Sequence, residues 1–318
     1  MTTISAAVVC DSVSEQGIRI TTFKLKYPRV IHAEFMTHRV FSRNASSSRA
    51  IPVERMIEEV KNDPYIPASW GANRPGMQAD EEIDAITRAT AREIYLDQLY
   101  TTLANARDLA RLNPAPHKQI INRLLEPFAH ITVLVTSTRW ANWFALRDHG
   151  DAEPNIAELA RNMRTVWNES IPTEIPHGGW HLPFIDPTSG DVEHAAAFLL
   201  AHSPTLGDNP DLLEHEIFWI LAKLSAARCA RVSYNNHDGT TPKLLKDLEL
   251  FEKLMGGNPL HASPAEHQAQ PDRKFGPAWE HPELHGNFHG WKQFRKNFYN
   301  EAGPAEPDVK RLLRAEQK

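Results

Sequence analysis

Apolar and polar positions alternate or recur in runs that predict most of the elements of this chain. Residues 5–10 (SAAVVC) and 18–26 (IRITTFKLK) read as strands, the second alternating around Ile20, Thr22 and Lys24. Pro28 marks a break, and VIHAEFM (30–36) fits either a strand or a helix. A helix is predicted over 53–62, with Pro52 at its start, and a loop over 64–78 from its proline and glycine content. From Asp80 to about Leu112, Ile83, Ile86, Tyr95, Leu99, Leu103, Ala106 and Ala110 recur mostly at three and four, which predicts one long helix ended by Pro114 and Pro116. A short helix (118–128), a strand (131–136), an aromatic helix (139–147) and an amphipathic helix (155–167) follow. Further helices are predicted at 192–203, 210–227 and 242–255, the last stopped by Gly256 and Gly257.

Two stretches, 171–191 and 257–290, are rich in loop residues, and the first is the best candidate boundary. The charged tail, 301–318, is expected to be flexible. Strands mixed with long helices predict an α/β (α+β mixed) fold, a central sheet flanked by helices. It is expected to form a single domain over 1–318, in which the halves 1–170 and 192–300 interleave and share one site.

Composition narrows the function. The 318 residues are 41% hydrophobic, enough for a substantial core. A net charge of −5 and a pI near 6.3 argue against a duplex nucleic-acid binder, so any anion site must be local. Two cysteines, Cys10 and Cys229, are no disulfide framework and fit a reducing compartment. No signal peptide and no apolar run of about 20 residues is seen, which predicts a soluble, cytoplasmic protein. The sixteen histidines lack zinc-site spacing, and no metal is expected.

Four stretches carry candidate chemistry. THRVFSRNASSSR (37–49) concentrates donors: His38, Arg39, Ser42, Asn44, Ser47 and Arg49. Guanidinium forks with hydroxyls and backbone N–H groups suit a phosphate, but serines capping the following helix explain the same composition. RWANWFALRDHGDAEPNI (139–156) places Arg139, Asn142 and Leu146 on one helical face beside Trp140, Trp143 and Phe144, which suits a flat heterocycle or an ordinary aromatic core. The third is AARCARVSYNNHDG (226–239). HASPAEHQAQP (261–271) offers His261, Ser263, Glu266 and His267 around a proline turn, as an acid/base pair, a metal cluster or a helix cap.

Taken together, these stretches resemble one family, the flavin-dependent thymidylate synthases. HRVFSRNASSSR (38–49) resembles the family signature R-H-R-x-x-S-x-N-E-x-S-x-R-Y. Leu146 and Arg147, with Ala152, Glu153 and Ile156, resemble L-R-x-x-x-x-A-Q-x-E-I. ARVSY (230–234) and HASPAEH (261–267) look like the elements A-R-V-S-Y/F and H-x-S/T-P-F-E-H, and Asn122, Arg123 and Pro127 match A-R-x-x-L-P weakly. In the family the last two strong elements precede the signature. Here they follow it, as in a circularly permuted chain.

The resemblance implies a homotetramer with sites at subunit interfaces. It implies FAD, NADPH and methylenetetrahydrofolate as cofactors and C5 methylation of a pyrimidine nucleotide, dUMP to dTMP. The cofactors would carry the chemistry while the protein binds and polarises. Arg49 and Ser47, with Arg123, would hold the phosphate, and Arg147 would meet the pyrimidine edge and, with Ser47, act in catalysis. His38, Arg39, Ser42, Asn44, Asn142, Ser233, His261, Ser263 and Glu266 would line the flavin. Thr37, Ala45, Ala50 and Glu153 depart from the family's Arg, Glu, Tyr and Gln. Glu34 would repel a phosphate unless it faces elsewhere or pairs with Arg39 or Arg43. The departures leave open dCMP as substrate, a hydroxymethyl product, or a catalytically silent flavin- or nucleotide-binding protein.

Overall fold

The computed structural model describes residues 3–76, 79, 81–186, 188, 190–232, 243–257, 260–298 and 301. Ser233 and the tail beyond residue 301 lie outside the described residues. The described elements, in chain order, begin with β1 (Ser5–Ser14), β2 (Arg19–Pro28), α1 (His32–Phe35), β3 (Ser42–Ala45), α2 (Val53–Asn62), α3 (Ala85–Arg111) and α4 (Lys118–Leu125). Then come β4 (His130–Ser137), α5 (Ala141–Arg147), α6 (Pro154–Glu169), β5 (Thr173–Ile175), α7 (Asp191–His202), α8 (Pro210–Arg231) and α9 (Leu244–Met255). Four short strands close the chain: β6 (Ala269–Pro271), β7 (Lys274–Phe275), β8 (Ala278–Trp279) and β9 (Trp291–Gln293). The architecture is mixed α/β, as expected.

The central sheet has the order β3-β4-β2-β1-β5, antiparallel except for the β1/β5 pair. Strand alternation sorts its faces. Phe23, Leu25 and Tyr27 of β2 and Ile131, Val133 and Val135 of β4 face one side. There they pack against Ile156, Leu159, Ala160 and Met163 of α6 and a cluster of Phe35, Phe41, Trp140, Trp143 and Phe144. The opposite face is partly polar. Ile20 packs on Ala269, Phe288 and Trp291, and Leu134 on Cys229 and Val232, while Thr22 and Thr136 sit between them, fully buried. Two helical cores flank the sheet, one from α2, α3 and α4 and the other from α7, α8 and α9 with Trp180 and Phe294.

Several boundaries differ from the sequence reading for identifiable reasons. The 30–36 stretch is a turn of 3₁₀ helix followed by α1. The long helix begins at Ala85, not Asp80, because the Asp84 carboxylate accepts from the N–H groups of Ile86 and Thr87 and caps it there. The 171–191 connection is built into the fold. It holds β5, and His181 bridges to Ala269 through backbone hydrogen bonds. β3 has no apolar alternation to announce it, since its inward residues are Ser42 and Asn44.

One buried charge cluster ties the second helical core together. Arg228 of α8 donates both terminal nitrogens to Asp191 of α7 (2.6 and 2.7 Å), its Nε to Asp247 of α9 (3.1 Å) and Nη1 to the Phe184 carbonyl (2.8 Å). Arg231 also donates to Asp247. Arg228→Ala removes the guanidinium shared by two carboxylates in the interior, leaving Asp247 with Arg231 alone, and is expected to cost about 3–5 kcal/mol in urea unfolding. Arg228→Lys should recover only part, because an ammonium cannot form the fork; full recovery would show that charge alone suffices.

Candidate functional site

β3 is held at the sheet edge by β4, with Ser42 opposite Thr136 and Asn44 opposite Leu134. Ser42 and Asn44 therefore share a face, and both are buried. The Ser42 hydroxyl accepts from the side-chain amides of Gln293 (2.9 Å) and Asn287 (3.4 Å). With both lone pairs used, its hydrogen is left to donate elsewhere. The Nδ2 of Asn44 has no partner among the described residues.

Gln293 joins two of the predicted stretches, because its Nε2 also donates to the Glu266 carbonyl at 2.9 Å. Sequence reasoning did not single out this residue; a lone glutamine in a loop-rich stretch gives no local signal. Its seat depends on Gly286, where φ is +57° and a Cβ would lie 2.1 Å from the Gln293 Oε1. Glu266 itself is ion-paired with Arg295. Burial pushes its carboxyl up, against the opposing pull of Arg295 and Arg43.

A second cluster forms where α1 meets the end of α5. Trp143 is buried and Arg147 follows one turn later. Arg147 donates to Glu34 (3.3 Å), to the Nε2 of His38 (3.3 Å) and to the Thr37 hydroxyl (3.5 Å). The His38 ring stands edge-on to Trp143 and stacks on Phe41. Burial lowers its pKa, with Arg147 and Arg43 adding to the effect, so the imidazole is neutral and accepts from Arg147. Glu34 thus pairs with Arg147, and not with Arg39 or Arg43 as considered from the sequence. Arg43 instead donates to the carbonyls of Met36 and His38 and fastens the turn.

The remaining predicted residues are placed less tightly. Ser47 lies in a turn closed by the Ala50 N–H, and Arg49 beside it is exposed, with no ion pair among the described residues. α4 grips this turn through Asn122, which donates to the carbonyls of Ser48 and Ile51, and through Lys118, which donates to that of Ala50. Arg123 is exposed on the same helix. Arg39, Asn142, His261 and Ser263 are also exposed. Arg139 precedes α5, so the predicted Arg139–Asn142–Leu146 helical face does not form.

Two departures from the family pattern have local causes. Ala45 is partly buried and packs against the apolar side of the sheet, where a Glu would set a carboxylate against apolar side chains. Glu153 caps α6, accepting from the Ile156 N–H at 2.9 Å.

His267, next to Glu266, ends a buried hydrogen-bonded line. His181 bridges Ser12 (2.9 Å) and Thr22 (2.8 Å), Thr22 meets Thr136 (2.7 Å), and Thr136 meets His267 (2.8 Å). Burial lowers both imidazoles to about 3. Among the described residues no cluster of three or more His, Cys, Asp or Glu could hold a metal, and no helix is long and apolar enough to cross a membrane. Three clefts, of about 470, 620 and 300 Å³, are lined by none of the predicted site residues. The His38–Arg147 cluster is instead flanked in sequence by the exposed side chains of Met36, Val40 and Leu146.

No family profile matches the sequence, and no curated protein matches it. Among solved structures, the UMP/dUMP methylase PolB from Streptomyces cacaoi bound with 5-Br UMP is similar at 15% identity and a TM-score of 0.44, over 53% of this chain and 90% of that one. The same methylase bound with 5-Br dUMP gives 16% identity and a TM-score of 0.44, over 53% and 91%. Thymidylate synthase X (ThyX) from Helicobacter pylori, solved with FAD and dUMP, gives 16% identity and a TM-score of 0.31, over 46% and 67%. These likenesses concern about half of the present chain.

The neutral histidines set a pH dependence. Their pKa values are depressed on folding from 6.5 to about 3, so the unfolded chain takes up protons that the native state refuses. Their contribution is complete above about pH 6.5 and is lost as pH falls toward about 3. Stability to urea should decline through that window. His181→Asn should flatten the decline, and an unchanged slope would remove His181 from its cause.

Proposed function

We propose that the protein is a flavin-dependent enzyme that methylates C5 of a pyrimidine deoxynucleotide, converting dUMP to dTMP with methylenetetrahydrofolate and NADPH. One observation carries the reading: the segments 37–49 and 261–267, which resemble two family elements, meet at Gln293 although more than two hundred residues separate them. A circularly permuted chain accounts for their order. FAD, when bound and reduced by NADPH, would supply the hydride. Two features of β3 suit its carbonyl-bearing ring edge: the Ser42 hydroxyl hydrogen and the Asn44 Nδ2, which has no partner among the described residues.

In this reading Arg49 and Ser47 hold the nucleotide phosphate, with Arg123 nearby on the helix that grips their turn. Ser42, Asn44, His38, Arg39, Asn142, Ser233, His261, Ser263 and Glu266 line the flavin. Arg147 faces the pyrimidine edge and stabilises charge that develops on the ring. A homotetramer would cover the open face around His38 and Arg147.

A second reading keeps the fold and changes the base. Glu34 stands beside Arg147, and a carboxylate there can accept from the exocyclic amine of cytosine, whereas uracil presents a carbonyl. That favours dCMP.

The test is a product mass. Protein with FAD, NADPH, methylenetetrahydrofolate and dUMP should return a nucleotide in which a methyl replaces the C5 hydrogen; the same gain on dCMP alone selects the second reading. Arg147→Ala should lower kcat/KM roughly a hundredfold or more while flavin stays bound. Unchanged dUMP and dCMP, with flavin bound and reducible, would falsify the proposal.

A further inference from the structure

The 620 Å³ cleft lies between the 62–70 segment and the start of α3, and it shares no lining residue with the site above. Ala85, Arg88, Ala89 and Arg92 of α3 line one wall. Their spacing is that of a single helical stripe. Four turns further on, the same phase of the helix carries Leu99, Thr102, Leu103 and Ala106, which are the buried residues of α3. The stripe that elsewhere faces the core thus runs out into the cleft, and there it presents two guanidinium groups over a floor of alanines.

The charge in this wall is largely unmet. Arg88 has only a distant contact with Glu82 (3.9 Å), and Arg92 has no ion pair among the described residues. Like charges four residues apart repel, and the positive end of the helix dipole adds to the field. Glu82 is committed elsewhere: it accepts from the Ser69 hydroxyl (2.5 Å) and the Trp70 backbone N–H (3.0 Å). These bonds, with an edge-on contact to Tyr95, fix the Trp70 indole in the opposite wall beside Pro64 and Pro67. Asn62 brings a side-chain acceptor to the lining, and Asp63 beside it is ion-paired with Lys26 (2.6 Å).

We propose that this cleft binds a phosphorylated nucleotide. Its phosphate is forked by Arg88 and Arg92, its base lies against Trp70, and an amino group on the base reaches Asn62. The chemistry combines two cations on one helical face, a rigid aromatic surface, and an amide acceptor suited to an adenine-like edge. It goes beyond the reading of the pyrimidine site, which uses none of these residues.

Calorimetric titration of the full chain with AMP, adenosine, inorganic phosphate and the 5′-phosphorylated dinucleotide pdApdA tests it without any turnover. AMP should bind more tightly than adenosine or phosphate. Arg88→Ala with Arg92→Ala should weaken AMP roughly tenfold or more, and Arg92→Glu should weaken it further. Both arginines are exposed, so these variants should fold, which circular dichroism checks. Binding of AMP but not of the dinucleotide identifies a free nucleotide; binding of both, each sensitive to the arginines, identifies a phosphorylated 5′ end as well. No AMP binding at millimolar concentration overturns the proposal. So does AMP binding that survives the double variant, or that is removed by Arg49→Ala, which belongs to the other site.

Discussion

Thr22 and Thr136 stand opposite each other on neighbouring strands, buried, with their hydroxyls 2.7 Å apart. Each needs a further partner, since an unsatisfied buried hydroxyl costs about 1–3 kcal/mol. His181 and His267 provide it. Both come from the second half of the chain, so the polar face of the sheet is satisfied only when that half is packed onto it. The burial that makes this seam dry also keeps both imidazoles neutral, which is the form able to pair with hydroxyls in either direction.

That seam brings the turn at 263–266 to β3. His267 is anchored to Thr136, Thr136 is opposite Ser42, and Gln293 closes the arrangement by donating to Ser42 and to the Glu266 carbonyl. The polarity of Ser42 follows from these contacts, because two amides occupy its lone pairs. The sheet and the loop together therefore decide that β3 offers hydrogen-bond donors on this face.

Charge around Arg147 is balanced within the fold. Glu34 and Thr37, departing from or preceding the family-like signature, both contact its guanidinium, and His38 accepts from it as a neutral ring. Arg43, on the outer side of β3, holds the backbone of the same turn. Among the described residues Arg49 has no such restraint. The two charged ends proposed for the nucleotide thus differ: one is pre-organised by protein partners, the other stands in solvent.

The sequence alone determined the mixed α/β class, the approximate course of β2, β4 and the longer helices, and the grouping of family-like stretches. Periodicity and motif spacing are local properties, and local sterics and burial patterns encode them. It did not reveal β3, whose inward residues are polar. It did not reveal β5 within the proline-rich connection, or the roles of Gln293, His181 and Asn122. These depend on partners that only chain folding brings near: a hydroxyl on another strand, a carbonyl across a turn, a glycine that leaves room for an amide. Tertiary structure also decided which carboxylate meets Arg147, because several acidic and basic groups lie within reach along the chain and only packing selects among them.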